Sequence, residues 1–214
     1  MSLSVVIGAR DLATVLTLKP GPTEALDTYV IENDADTAQT TGTAMSTRNT
    51  ALNRRFSLVK FSELTQIPSS AEVLSVILSV WTASTAGAAH TLTAARILAA
   101  DSGWVEAATW NYADGAGAAV RWAGDAASNG GTDAGCSVSG TDFSATALGT
   151  FTVPNGTVAG VRCDCTLSLA EFALMYAANH GLRLATATDG ILSFVTSDDS
   201  TLPSQWPQLT IRYQ

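Results

Sequence analysis

The run from Val73 to Thr82 does most to decide what this chain can fold into. Successive side chains of an extended chain point to opposite sides. Leu74, Val76, Leu78 and Val80 therefore share one apolar face, while Ser75 and Ser79 lie opposite with Val73, Ile77 and Trp81. A strand that is apolar on one side and mixed on the other belongs inside two packed sheets. Similar short runs at Leu26–Ile31, Arg55–Phe61, Thr91–Leu98, Leu182–Thr188, Ile191–Thr196 and Leu209–Tyr213 are separated by turn-forming residues. Thr150–Val153 and Thr157–Leu167 flank Pro154-Asn155-Gly156 and read as a hairpin, because Asn-Gly supplies the positive φ a tight turn needs. The sequence thus predicts an all-β chain of roughly nine or ten strands, a β-sandwich of jelly-roll type. One helix is expected at Leu169–Ala178, where Ser168 and Glu171 form a capping box and Gly181 ends the segment.

Two regions do not fit simple alternation. Residues 1–25 read as an extended arm, with apolar Leu3, Val5 and Ile7 and a second β-prone run at Leu12–Leu18, broken by Lys19-Pro20-Gly21-Pro22. Such an arm is either an edge strand of the core or a segment that docks on another subunit. Residues 26–214 form the sandwich domain. The segment 113–147 is dominated by Ala, Gly, Ser, Thr and Asp, interrupted by Val120-Arg121-Trp122. A stretch this long in a compact domain implies an ordered excursion held by its own packing or by a neighbour.

Just before it stands Trp104-Val105-Glu106-Ala107-Ala108-Thr109-Trp110-Asn111. Each indole has a large apolar body and one N–H that needs an acceptor when buried. Glu106 and Asn111 are placed to supply acceptors or to tie a turn through the backbone, with Thr109 between them. We read Trp104, Glu106, Thr109, Trp110 and Asn111 as a structural corner pinning a loop to the core. The alternative is a stacking platform for sugar rings.

Composition narrows the function. With 11 basic and 19 acidic residues and a net charge of −8, the chain lacks the basic surface that nucleic acid requires. No apolar run reaches membrane-spanning length, and the N-terminus has no secretory pattern. The three cysteines, Cys136, Cys163 and Cys165, read as small buried residues: a bridge between Cys163 and Cys165 would be strained, and no second ligand pair accompanies them. Asn33, Asp34 and Asp36, and the acidic loop Ser197-Asp198-Asp199-Ser200, could offer oxygens to calcium, although such loops are usually solvated turns. No cofactor or metal is expected. His90 and His180 have no nucleophile motif beside them, and Asp101 with Glu106 is the one carboxylate pair that could serve glycoside chemistry. The expectation is that the chain is not an enzyme.

Several pieces, in order, resemble DNRLRE-type domains, which are grouped with carbohydrate-binding modules. They are Asp27-Thr28-Tyr29-Val30, Arg55 to Phe61, Ile67-Pro68-Ser69-Ser70-Ala71-Glu72-Val73-Leu74, Trp104-Val105-Glu106 with Thr109-Trp110-Asn111, Gly181-Leu182-Arg183-Leu184, Phe194 with Ser197-Asp198, and Pro207 to Tyr213. The resemblance spans residues 26 to the end and implies a jelly-roll fold, with the matching residues in structural roles. Residues 1–25 and the length of the 113–147 stretch depart from it.

The expected function is therefore non-enzymatic. The first reading is a tailed-phage capsid decoration, cement or head-fibre protein located in the virion, with the major capsid protein and copies of itself as partners. Its contacts would use Leu3, Val5 and Ile7 of the arm and the aromatics Trp81, Trp122 and Trp206. The alternative is a carbohydrate-binding module, with glycans as partners.

Overall fold

A computed structural model describes residues 13–40, 42–115, 120–125 and 131–214. Its strands are β1 (Thr14–Leu18), β2 (Ala25–Ile31), β3 (Ala44–Thr47), β4 (Arg55–Phe61), β5 (Val73–Trp81), β6 (His90–Arg96), β7 (Gly149–Val153), β8 (Arg162–Thr166), β9 (Leu182–Thr186), β10 (Leu192–Val195) and β11 (Gln208–Tyr213), with the helix α1 (Leu169–Ala177) between β8 and β9. One sheet has the order β1-β11-β5-β8 and a second the order β2-β4-β9-β6-β7; β3 and β10 form a separate pair. Setting aside β2, β3 and β10, the remaining eight strands run 1-8-3-6 in one sheet and 2-7-4-5 in the other. That is the jelly-roll order, two interlocked Greek keys. β2 extends the second sheet beyond β4, paired from Ala25↔Phe61 to Ile31↔Arg55.

The alternation of β5 places Val76, Leu78 and Val80 between the sheets, where they meet Leu92 and Ala94 of β6, Leu182 and Leu184 of β9, and Phe194. Each buried Val, Leu or Phe here contributes about 1.5–3 kcal/mol by leaving water. α1 closes one end of this core with Phe172 and Met175. Ser168 caps it, its hydroxyl accepting from the Glu171 N–H. The capping box is not reciprocal: the Glu171 carboxylate instead pairs with Arg96 at 2.8 Å and accepts from the Ser144 hydroxyl.

One expectation changes. The hairpin around Asn155-Gly156 is absent: β7 pairs with β6, whereas β8 pairs with β5 in the opposite sheet. Gly156 does take a positive φ of 79°, but its N–H donates to Ala86, so the turn docks on a neighbouring loop while the chain crosses between sheets. The polar segment 32–53 contains β3, a strand too short to show periodicity. The run expected at Leu12–Leu18 supplies β1, an edge strand paired with β11 from Thr14↔Tyr213 to Leu18↔Leu209. Leu3, Val5 and Ile7 lie outside the described residues.

The second sheet is covered on both sides. On β4, Val59 and Phe61 face the inter-sheet core, while Phe56 and Leu58 face the other way. There they meet Trp104, Ala108, Trp110, Ala113, Trp122, Ala134 and Cys136, forming a second core beneath the excursion between β6 and β7.

Candidate functional site

The tryptophan stretch builds this second core. Trp104 and Trp110 are 2% and 0% exposed, so neither leaves a ring face free for a sugar. Trp110 stacks on Phe56 with centroids 5.6 Å apart, and the Arg54 guanidinium lies 4.9 Å from its ring centroid. Gly135, at φ +73°, packs so closely that a Cβ there would fall 2.4 Å from Trp110 Cε3. The indole acceptors are backbone carbonyls: Trp104 donates to His180 and Trp110 to Gly131. Glu106 and Asn111 do not serve the indoles. Glu106 accepts from the Asp27 N–H at 2.9 Å, and the Asn111 amide donates to Asp36. The Thr109 hydroxyl accepts from the Tyr112 N–H.

Trp122 is corrected as a contact residue. It is 1% exposed and donates to the Thr109 carbonyl, because an excursion of small residues needs an aromatic anchor of its own. Trp81 and Trp206 are half-buried, the first beneath Arg162 at 5.7 Å and the second donating to the Asp199 carbonyl.

The corner also gathers acids. Oxygens of Asp27, Glu106 and Asp198 lie within 4.8 Å of one another. Asp27 is almost fully buried and accepts from the backbone N–H and hydroxyl of Ser197. Burial, with the charges of Asp27 and Asp198, raises Glu106 to about 8, and burial raises Asp27 to about 6. Asp101 joins a different pair. Burial and the neighbouring Asp142 raise it to about 7. Glu106 and Asp101 thus enter separate groups rather than facing one another across a glycoside site. Asp34 accepts from Thr37 within its own loop, and Asp36 accepts from Asn111 and so ties that loop to the tryptophan stretch.

A groove lies where the excursion ends on the outer face of the second sheet. One depression of about 430 Å³ is lined by Asn49, Arg54, Thr91, Thr93, Ser137 and Arg183, among others. A second of about 420 Å³ shares Asn49 and Arg54 with it. β6 contributes Thr91 and Thr93 on the side opposite core-facing Leu92, and β9 contributes Arg183 between core-facing Leu182 and Leu184. Arg54 divides the two depressions, held by Glu32 at 2.9 Å and donating to the Thr132 carbonyl.

No family model matches this chain, and no curated protein matches it.

The sequence reading missed Arg183. Its only signal was an arginine inside the Leu-Arg-Leu-Ala alternation of a strand, which becomes informative once the outer face is known to be covered.

Proposed function

We propose that this chain is a non-enzymatic binding protein whose groove on the outer face of the second sheet takes a glycan. The observation that carries this reading is the convergence of hydroxyl, amide and guanidinium groups from Asn49, Arg54, Thr91, Thr93, Ser137 and Arg183 around two adjoining depressions. A polyhydroxylated ligand offers donors and acceptors along its length, and an open groove with convergent polar groups suits it. A glycan array followed by calorimetry on the hits tests this reading. Thr93→Trp, which fills the groove from a half-exposed strand position, is expected to weaken binding at least tenfold with its circular dichroism unchanged. A blank array, or a Thr93→Trp chain that binds as the parent does, sinks the reading.

The second reading is a capsid decoration, cement or head-fibre protein of a tailed phage, held in the virion by the major capsid protein and by copies of itself. β1 favours it: this edge strand leaves Val15 63% exposed and follows the apolar Leu3, Val5 and Ile7. Edge strands offer unpaired backbone groups to another chain. Leu18 belongs to the inter-sheet core, so the informative truncation removes residues 1–12 and spares β1. That truncated chain should lose co-sedimentation with its source particles; retention of full binding would discard the arm's role.

A further inference from the structure

We propose that Arg183 is an anion anchor, and that the deep end of the groove takes an oxyanion, foremost a carboxylate, carried by the ligand. The proposal rests on the groove being a binding site.

On β9, an outward-facing arginine would ordinarily extend into water. Here the excursion covers it, and Arg183 is only 8% exposed. Its guanidinium carbon lies 3.7 Å from the Phe56 ring centroid and 4.2 Å from that of Phe143. The two rings occupy the guanidinium faces, so its N–H groups are free to act only around the edge. Arg54, Arg96, Arg121 and Arg162 each meet a carboxylate at 2.7 to 2.9 Å. No hydrogen bond or ion pair among the described residues reaches the Arg183 guanidinium, and its Nε is fully buried without a partner.

Asp142 is the acid whose charge acts on Arg183, but its oxygens are committed elsewhere. They accept from the Gly124 N–H at 2.5 Å and the Val138 N–H at 2.8 Å. Arg54, on the same groove, adds a second positive charge that opposes the first. Burial lowers Arg183 to about 10, which leaves it charged at neutral pH. A buried cation with no hydrogen-bonded counter-charge is costly, and a charged group held this way is stabilised by any partner that completes it. A carboxylate matches the in-plane fork of a guanidinium with two parallel hydrogen bonds. Ser137, Thr91 and Thr93 line the same depression and can bond what the carboxylate is attached to.

The test follows the Arg183 Nε–H signal by proton–nitrogen NMR while full-length chain is titrated with acetate, with isosteric neutral acetamide and with sulfate, at constant ionic strength in chloride. Acetate is expected to give a saturable shift at Arg183, and acetamide none; a sulfate response equal to that of acetate assigns the site to oxyanions in general. Arg183→Met removes an uncompensated charge, so it should melt no lower than the parent in chloride and lose the rise in melting temperature that acetate gives the parent. Arg183→Lys, lacking the fork, should keep a weaker response. An Arg183→Met chain that melts lower and responds to acetate like the parent overturns the anchor, as does equal binding of acetate and acetamide. Glycan binding without an acetate response overturns the anchor and leaves the glycan reading standing. An acetate response without glycan binding supports the anchor and removes the glycan.

Discussion

The molecule has two cores that share a wall, and they are built by different means. Between the sheets, Val76, Leu78, Leu92, Leu184 and Phe194 interlock through strand alternation, with hydrocarbon against hydrocarbon. Beneath the excursion, tryptophans, stacked arginines and paired acids take the place of aliphatic layers, and each indole needs a named carbonyl. The first core asks of its residues only apolarity and size. The second depends on polar partners placed by distant parts of the chain, and the groove lies at its margin. The difference separates what holds the fold from what can recognise a ligand.

The largest expected effect comes from emptying each core in turn. Phe194→Ala and Trp110→Ala should each cost about 3–5 kcal/mol, the usual range for removing a buried aromatic. They should differ in where protection is lost. Hydrogen exchange is expected to speed throughout both sheets for Phe194→Ala, but chiefly in the excursion for Trp110→Ala. Uniform loss in both variants would show that the two cores unfold as one.

A smaller effect separates the cores by pH. Glu106, Asp101 and Asp27 titrate near 8, 7 and 6, each raised first by burial and further by a neighbouring acid. The folded chain therefore keeps protons that the unfolded chain has already released. The stability tied to these groups is complete below the ordinary carboxylate range and is lost as pH rises through about 6 to 8. Melting temperature should fall between pH 5 and 8.5, and Glu106→Gln should flatten that fall by about 1–2 kcal/mol after allowance for solvent screening. An unchanged slope in Glu106→Gln would remove Glu106 from the account.

The smallest effect belongs to neither core. Arg162 and Asp164 meet at 2.7 Å on β8, but both side chains are nearly half exposed. Asp164→Asn should change stability by less than about 1 kcal/mol in denaturant melts, and a larger loss would mean that the pair supports Trp81 and Ser79 more than an exposed pair does.

What could be read beforehand follows the same division. Val73–Trp81 and Arg55–Phe61 were visible because a strand's periodicity is local, and α1 because Ser168 caps it within one turn. The partners of β7 and β8 were not visible, since Pro154-Asn155-Gly156 suits a hairpin and a sheet crossing equally well. Trp122 looked like a contact residue because nothing in Val120-Arg121-Trp122 reveals that Thr109 accepts its indole N–H. Arg183 looked like an ordinary strand residue because its burial depends on segments far away in sequence.

The excursion leaves β6 and rejoins the sheet at β7, and these strands are antiparallel neighbours whose register runs from His90↔Val153 to Ala94↔Gly149. Its two ends are thus adjacent, and topologically it is an enlarged hairpin loop. The free energy of closing such a loop rises only slowly with its length. Insertions and deletions there leave every strand pairing of the jelly roll in register, so this is the place where the scaffold can trade one recognition surface for another, by descent or by grafting, without being rebuilt.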